Sequence, residues 1–218
     1  MGSNISINSK IENYINKNSF KLNSIQKEII SYNETLGKSK SMQVSITQCY
    51  FLHLLIKIRK INKILEIGTF TGLSSLSMSL ALPEEGKITT LDKNIETNKI
   101  ALNFFKKAKQ ENKIQLIGGP ALESIKKINE QNIKFDLVFI DADKGNYQNY
   151  FEKSLDLINK NDLIIIDNVL WYGEVTDESK KDKITQSIRD FNTYINENQR
   201  TENVMLPLGD GLSVCRKL

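Results

Sequence analysis

Apolar residues follow two different spacings along this chain. Up to about residue 60 the spacing is helical, and residues 45–60 form the clearest example, with an apolar face that begins after a capping pair of Ser45 and Gln48. Two weaker helical patterns precede it, at residues 11–18 and 24–36. Beyond residue 62, short apolar runs rich in Ile, Leu and Val replace this pattern.

These short runs alternate with amphipathic stretches. Strands are predicted at residues 63–67, 87–91, 113–117, 135–140 and 163–166. Helices are predicted between them, at residues 73–81, 95–109, 121–129 and 147–158. Repeated strand–helix–strand units predict an α/β fold of the Rossmann-like kind, in which a mostly parallel sheet carries helices on both faces.

The C-terminal part departs from the alternation. A polar helix at residues 182–196 is followed by VMLPL, GDG and LSVCRKL, which predict an antiparallel hairpin turning at Asp210-Gly211. Pro207 makes a central, fully paired position less suitable for the first of these runs. We therefore expect a sheet with a reversed last strand. The length of 218 residues fits one domain, with residues 1–44 as an N-terminal helical extension.

Composition limits the classes of protein to which this chain can belong. The net charge is +4, and the lysines are spread over predicted helix faces, which indicates solvated surfaces rather than a nucleic-acid footprint. No apolar run approaches the roughly 18 residues of a membrane span, so no membrane association is expected. Two distant cysteines match no metal or redox motif and favour a reduced, cytoplasmic setting. The start, MGSNIS, fits the pattern for myristoylation at Gly2, but this pattern is short and common, and a cloning scar or a plain start is the favoured interpretation.

The stretch ILEIGTFTG predicts a ligand-binding turn at the end of a strand. Its G-x-x-x-G spacing, with Phe70 in place of a second glycine, argues against NAD. Glu66 would repel a phosphate but suits an amine, and Asp92, after the next strand, suits a ribose diol. S-adenosylmethionine has a ribose and an amine but no phosphate, and is therefore the predicted cofactor. The alternatives are that Glu66 only braces the loop and that Asp92 only caps the next helix.

A second group of polar residues follows two later strands. Asp141 ends FDLVFID, and Asp167 and Asn168 end LIIIDN. Strands that are neighbours in a parallel sheet would bring these residues to one edge, where acids repel one another unless a cation lies between them. Their oxygens suit Mg²⁺, Mn²⁺ or Ca²⁺. The sequence therefore predicts a divalent metal site, and ordinary strand-end caps are the alternative.

The motifs EIGTFTG, GPALE, FIDADKGNY, DNVLWYG and LPLGDGLSV together resemble those of the cation-dependent class I S-adenosylmethionine O-methyltransferases, the caffeoyl-CoA and catechol O-methyltransferase-like enzymes. The resemblance runs from about residue 42 to residue 218. It implies a seven-stranded sheet, a homodimer, and Lys144 beside the acceptor hydroxyl, with Asp141 next to it. The residues implied to line the cofactor pocket are Val44, Glu66, Gly68, Ser74, Asp92, Ala121 and Asp141.

The predicted function is divalent-metal-dependent methyl transfer from S-adenosylmethionine to a hydroxyl of a small catechol-like or phenolic acceptor. A vicinal diol is the natural acceptor, because its two oxygens can chelate one ion, and Trp171 and Tyr172 are candidates to wall its ring. Three alternatives stay open: methylation of a hydroxylated tRNA base, an NAD-dependent dehydrogenase and a non-catalytic binding protein. One departure from the family is Leu73, where relatives usually have Tyr.

Overall fold

The computed structural model describes residues 7–19 and 21–218, so the MGSNIS pattern lies outside the described residues. The strands are β1 Lys63–Ile67, β2 Lys87–Asp92, β3 Ile114–Gly118, β4 Phe135–Ile140, β5 Ile158–Asp167, β6 Thr201–Leu206 and β7 Leu212–Lys217. The α-helices are α1 Ser9–Asn18, α2 Ser24–Glu34, α3 Ile46–Arg59, α4 Leu73–Ser79, α5 Ile95–Lys107, α6 Ala121–Glu130, α7 Tyr147–Leu157 and α8 Lys183–Glu197. Short 3-10 helices span Gly37–Met42, Lys144–Asn146 and Trp171–Thr176.

All seven strands form one sheet, in the order β3-β2-β1-β4-β5-β7-β6. Strands β1 to β5 pair in parallel, and β7 runs antiparallel to both of its neighbours. The predicted Rossmann-like fold with a reversed last strand is therefore confirmed. The order reverses between β1 and β4, so the carboxyl ends of β1, β2, β4 and β5 lie along the edge where ligands bind in such sheets.

Each face of the sheet carries its own apolar core. On one face, α2, α3, α4 and α5 pack on alternate strand residues such as Ile64, Phe139 and Ile165. On the other, α6, α7 and α8 pack on the residues between them, such as Leu65 and Ile140. Strand side chains alternate between the two faces, and a sheet covered on both sides needs continuous apolar strands. This explains the runs from which the strands were predicted.

Three local features differ from the prediction. Strand β5 begins at Ile158, directly after α7, although only residues 163–166 were predicted as strand. It pairs with Phe135 across an irregular register, which accommodates the polar residues between. Strand β6 covers Thr201–Leu206 and leaves Pro207 in the turn, and it lies at the sheet edge as that proline suggested. The two 3-10 helices that follow β4 and β5, Lys144–Asn146 and Trp171–Thr176, were not predicted.

Two further observations concern the environment of the chain. Within residues 7–19 and 21–218, no helix is long and apolar enough to cross a membrane. Cys49 and Cys215 are both buried, and they belong to the cores on opposite faces of the sheet.

Candidate active site

The turn after β1 packs closely against the loop after β4 and against helix α5. Gly68 has φ +101°, and a Cβ there would lie 1.8 Å from the carbonyl oxygen of Asp141. Gly72 has φ +88°, and a Cβ there would lie 2.5 Å from the ring of Phe105. Both positions require glycine because backbone and ring leave no room for a side chain. The turn therefore touches the loop after β4, and Phe70, at φ +50°, takes a left-handed conformation within it.

Glu66 lies beneath this turn and is completely buried. Its Oε2 accepts hydrogen bonds from the hydroxyls of Ser75 and Thr90, while Oε1 has no hydrogen-bond partner within the described chain. Burial raises the pKa of Glu66 to about 7. The carboxyl thus braces the first turn of α4, as one predicted alternative proposed, and it retains one oxygen that a nearby cationic group would stabilise.

Asp92 joins the glycine turn to the end of β2. Its Oδ2 accepts hydrogen bonds from the backbone amides of Thr69 and Phe70, at 3.0 and 2.9 Å. Its Oδ1 accepts one from the amide of Asn94 at 2.8 Å. Asn94, not Asp92, provides the N-cap of α5, so the alternative that Asp92 merely caps this helix is wrong. The Asp92 carboxylate instead holds the turn in shape.

The other predicted cofactor residues surround the turn unevenly. The amide of Gly119 donates to the carbonyl of Asp92 at 3.1 Å, so α6, which begins at Ala121, starts beside Asp92. Ser74 is buried in the first turn of α4. Val44 is buried in the core that contains α3, one residue before the Ser45 N-cap of that helix. The structure thus places Ser74 directly after the turn and the start of α6, with Ala121, beside the end of β2, whereas Val44 precedes α3.

Lys144 connects the polar residues that follow β4 and β5. Its Nζ donates to Asp141 Oδ1 at 3.1 Å and to Asn168 Oδ1 at 2.6 Å. The Lys144 and Asp141 side chains are only 14% and 18% exposed, and the ammonium lies 5.1 Å from the centre of the Tyr147 ring. The predicted meeting of these residues at one edge is what the structure shows.

Asp167 is 2% exposed at the end of β5. Its Oδ1 accepts hydrogen bonds from Gln48 Nε2 at 2.6 Å and from the Asn168 amide at 2.7 Å. Both of these donors reach Oδ1 rather than Oδ2. Burial, and then repulsion from Asp141, raises the pKa of Asp167 well above its ordinary value. A carboxylate in this position is stabilised by a positive charge.

The chemistry of this cluster fits a divalent cation. Asp141, Asp167 and Asn168 offer two carboxylates and an amide oxygen, which are hard ligands. The Lys144 ammonium already bridges two of these three residues. Residues 7–19 and 21–218 contain no group of three or more His, Cys, Asp or Glu side chains placed to hold a metal. The amide of Asn168 is therefore a necessary part of the predicted set.

Three residues that the sequence analysis left without a site role adjoin this cluster. Gln48 binds the Asp167 carboxylate, and Tyr147 donates from its hydroxyl to the Asp167 carbonyl at 2.8 Å. Asp210, predicted only as a turn residue, accepts from the Tyr172 amide at 2.6 Å through Oδ1. The capping pair and the LPLGDGLSV motif were the only signals that pointed to Gln48 and Asp210.

The aromatic pair after β5 lies in an unusual backbone conformation. Trp171 and Tyr172 have φ of +46° and +54°, and their ring centres are 5.3 Å apart. Tyr172 is 69% exposed, and Trp171 is partly exposed rather than part of either core. Left-handed conformations of bulky residues are costly, and they concentrate at functional sites. The pair is therefore available to contact a ligand beside Asn168.

Comparison with known proteins assigns the chain to a family. Residues 15–218 match the O-methyltransferase family. The chain belongs to this family. This O-methyltransferase is 37% identical over 217 residues, 98% of the chain and 94% of the relative, to "Probable caffeoyl-CoA O-methyltransferase 1" of Dictyostelium discoideum. It is 39% identical over 186 residues, 81% of the chain and 70% of the relative, to caffeoyl-CoA O-methyltransferase 2 of Zea mays.

Solved structures agree with the assignment of this O-methyltransferase. An O-methyltransferase from Bacillus cereus, solved in complex with S-adenosylhomocysteine (SAH), superposes with a TM-score of 0.88 at 32% identity. The match covers 96% of this chain and 97% of that one. The predicted family and the predicted class of enzyme, an S-adenosylmethionine-dependent O-methyltransferase, are confirmed by these comparisons.

Proposed function

We propose that this O-methyltransferase moves a methyl group from S-adenosylmethionine to a hydroxyl of a small catechol-like or phenolic acceptor, with the help of a divalent cation. The observation that carries the proposal is the contact between the glycine turn and the acid cluster. Gly68 abuts the carbonyl of Asp141, so a cofactor at the turn adjoins the Asp141, Asp167 and Asn168 side chains. Relatives named for caffeoyl-CoA support a phenolic acceptor.

The cofactor site is proposed at the turn between β1 and α4. Asp92 accepts hydrogen bonds from the ribose, and the unpaired Oε1 of Glu66 stabilises the cofactor's amine. SAH in the Bacillus cereus relative supports a ligand of this shape. Methyl transfer requires the acceptor oxygen, the methyl group and sulfur in line, so much of this site's work is positioning. The proposed cofactor residues are Val44, Glu66, Gly68, Ser74, Asp92, Ala121 and Asp141.

The metal is proposed at Asp141, Asp167 and Asn168, with Mg²⁺ as the first choice and Mn²⁺ or Ca²⁺ as alternatives. A bound divalent cation would lower the pKa of an acceptor phenol, which is about 10 in water. In its neutral amine form, Lys144 would take the hydroxyl proton at Nζ, and Asp141 Oδ1 would then accept a hydrogen bond from the resulting ammonium. The partly exposed ring of Trp171 and the exposed ring of Tyr172 would flank the acceptor and exclude water from one side.

Architecture and assembly are proposed together. The chain acts as one methyltransferase domain, in which the N-terminal extension up to residue 44, helical at α1 and α2, helps to shape the acceptor pocket. A homodimer is supported by exposed apolar side chains on α3, where Leu54 and Ile58 are 57% and 68% exposed. Val204, 52% exposed, adds an apolar residue on the edge strand β6. Cytoplasmic localisation is proposed from the reduced setting that the two buried cysteines favour.

One acceptor screen tests the function. The enzyme is incubated with labelled S-adenosylmethionine and each of four acceptors: a catechol, its mono-hydroxyl analogue, a phenolic CoA ester and a hydroxylated tRNA that lacks the methyl group. Each reaction is run after chelation and after addition of Mg²⁺, Mn²⁺ or Ca²⁺. We expect metal-dependent transfer to a diol. Transfer only to tRNA would replace the small acceptor with the nucleic-acid alternative, and full activity after chelation would remove the metal.

A further inference from the structure

Gln48 uses both ends of its side-chain amide within the protein. It lies in the first turn of α3 and is 2% exposed. Its Oε1 accepts from the backbone amide of Ser45 at 2.7 Å, which completes the predicted capping box. Its Nε2 donates to Oδ1 of Asp167 at 2.6 Å. One residue therefore joins the start of a helix to a proposed metal ligand 119 residues away.

The turn between β6 and β7 fixes this amide from another side. Gly209 has φ +60°, and a Cβ there would lie 2.6 Å from both Cδ and Oε1 of Gln48. The Gln48 amide therefore fills the space that a side chain at residue 209 would need, and the turn packs directly against it. Three segments that are distant in sequence, the start of α3, the end of β5 and this turn, meet at one side chain.

The hydrogen bonds that Asp167 accepts from Gln48 and Asn168 share one carboxylate oxygen. Both hydrogen bonds to the Asp167 carboxylate, from Gln48 and from the Asn168 amide, reach Oδ1. The two bonds to Oδ1 restrain the orientation of the carboxylate, and neither of them uses Oδ2. A helix cap would need only Oε1 of Gln48, so the Nε2 contact is additional to the capping role.

We propose that Gln48 is a positioning residue for Asp167, which it orients so that Oδ2 is presented to the divalent cation. This inference rests on the metal site of the proposed function. Residues that hydrogen-bond to a metal ligand typically change metal affinity by roughly 10–100-fold when they are replaced. Gln48→Met keeps the length and most of the packing of the side chain but removes both hydrogen bonds.

The test measures Mn²⁺ binding, by electron paramagnetic resonance or calorimetry, on the full chain in the presence of SAH. We expect Gln48→Met to weaken Mn²⁺ roughly 10–100-fold, while its affinity for SAH, measured separately, stays within about threefold of the parent. Gly209→Ala should also weaken Mn²⁺, because its new Cβ displaces the Gln48 amide. This second variant keeps the test decisive if Gln48→Met fails to fold.

Ser45→Ala is the matched control. It removes the hydroxyl that accepts from the Gln48 backbone amide at 3.2 Å, but leaves the bond to Asp167 in place. We expect a lower unfolding midpoint and unchanged Mn²⁺ affinity. Equal weakening of Mn²⁺ by Ser45→Ala and Gln48→Met would reduce Gln48 to a helix cap and overturn the proposal, as would unchanged affinity in Gln48→Met. Parental Mn²⁺ affinity in Asp167→Ala would instead refute the metal site itself.

Discussion

The burial of Glu66 makes the stability of the enzyme depend on pH in a way that one substitution should remove. The pKa of this carboxyl is about 7 in the folded chain, against 4.5 without burial. The folded chain therefore binds the proton more tightly than the unfolded chain does. The stability that this provides is fully present below about pH 4.5 and is lost as the pH rises through about 7. At about 1.4 kcal/mol for each pH unit, the loss is about 3 kcal/mol.

Glu66→Gln replaces the acid with an uncharged side chain of similar shape, so it should abolish this part of the pH dependence. The assay is urea unfolding of parent and variant from about pH 4 to about pH 8, with cofactor and metal removed. We expect the variant to gain about 3 kcal/mol relative to the parent across this range. Asp167 adds a pH dependence of the same sign, but it is common to both proteins and cancels in the difference.

Thr90→Val provides a second measurement on the same group. The Thr90 hydroxyl donates to Glu66 Oε2 and lowers the pKa of that carboxyl, so its removal should move the stability loss to higher pH.

A difference between parent and Glu66→Gln that stays constant with pH would show that Glu66 titrates equally in the folded and unfolded chains. The argument from burial would then be refuted.

The remaining predictions concern the ligands. Asp92→Ala should weaken SAH by about 1.5–3 kcal/mol in calorimetry, because a charged acceptor of ribose hydrogen bonds is lost; unchanged affinity would remove Asp92 from that role. Asp167→Ala should lose methyl transfer but still bind SAH, since the proposed cofactor contacts lie mainly on other strands. Loss of both in a folded variant would contradict that separation. Lys144→Met should lower kcat by roughly 10²–10⁴. The loss should be smaller at high pH, where the phenol gives up its proton to solvent without the lysine. Near-normal turnover with reduced stability in Lys144→Met would mean that Lys144 serves only as the ion-pair partner of Asp141.

The fold could be predicted because its strands are buried on both faces. Such strands are continuous apolar runs, and the runs at β1 and β4 matched the structure residue for residue. The start of β5 was missed because residues 159–162 are polar and exposed to varying degrees, and the pairing with β4 passes from Ile158 to Leu163 across an irregular register. Strand residues that face solvent need not be apolar. The apolar pattern from which strands were predicted is therefore absent at the exposed start of β5.

The candidate site also contains residues that the sequence could predict and residues that it could not. Asp141, Asp167 and Asn168 were predicted to meet because each ends or follows a strand, and the parallel order of β4 and β5 brings strand ends together. Gln48 and Asp210 could not be assigned, because their partners are set by how helix α3 and the last turn pack on the sheet. A capping box predicts what Gln48 does within its helix, but not which side chain receives its second hydrogen bond.

The position of β7 has a consequence for synthesis of the enzyme. This strand pairs with β5 from Leu163 opposite Arg216 to Asp167 opposite Leu212. While the ribosome is still translating residues before 212, β5 has an open edge, and unpaired strand edges invite association with other chains. Every residue proposed for the cofactor and the metal has been made by then, but Asp167 still ends a strand with only one neighbour. A nascent chain that stalls at this stage exposes an apolar strand edge to chaperones.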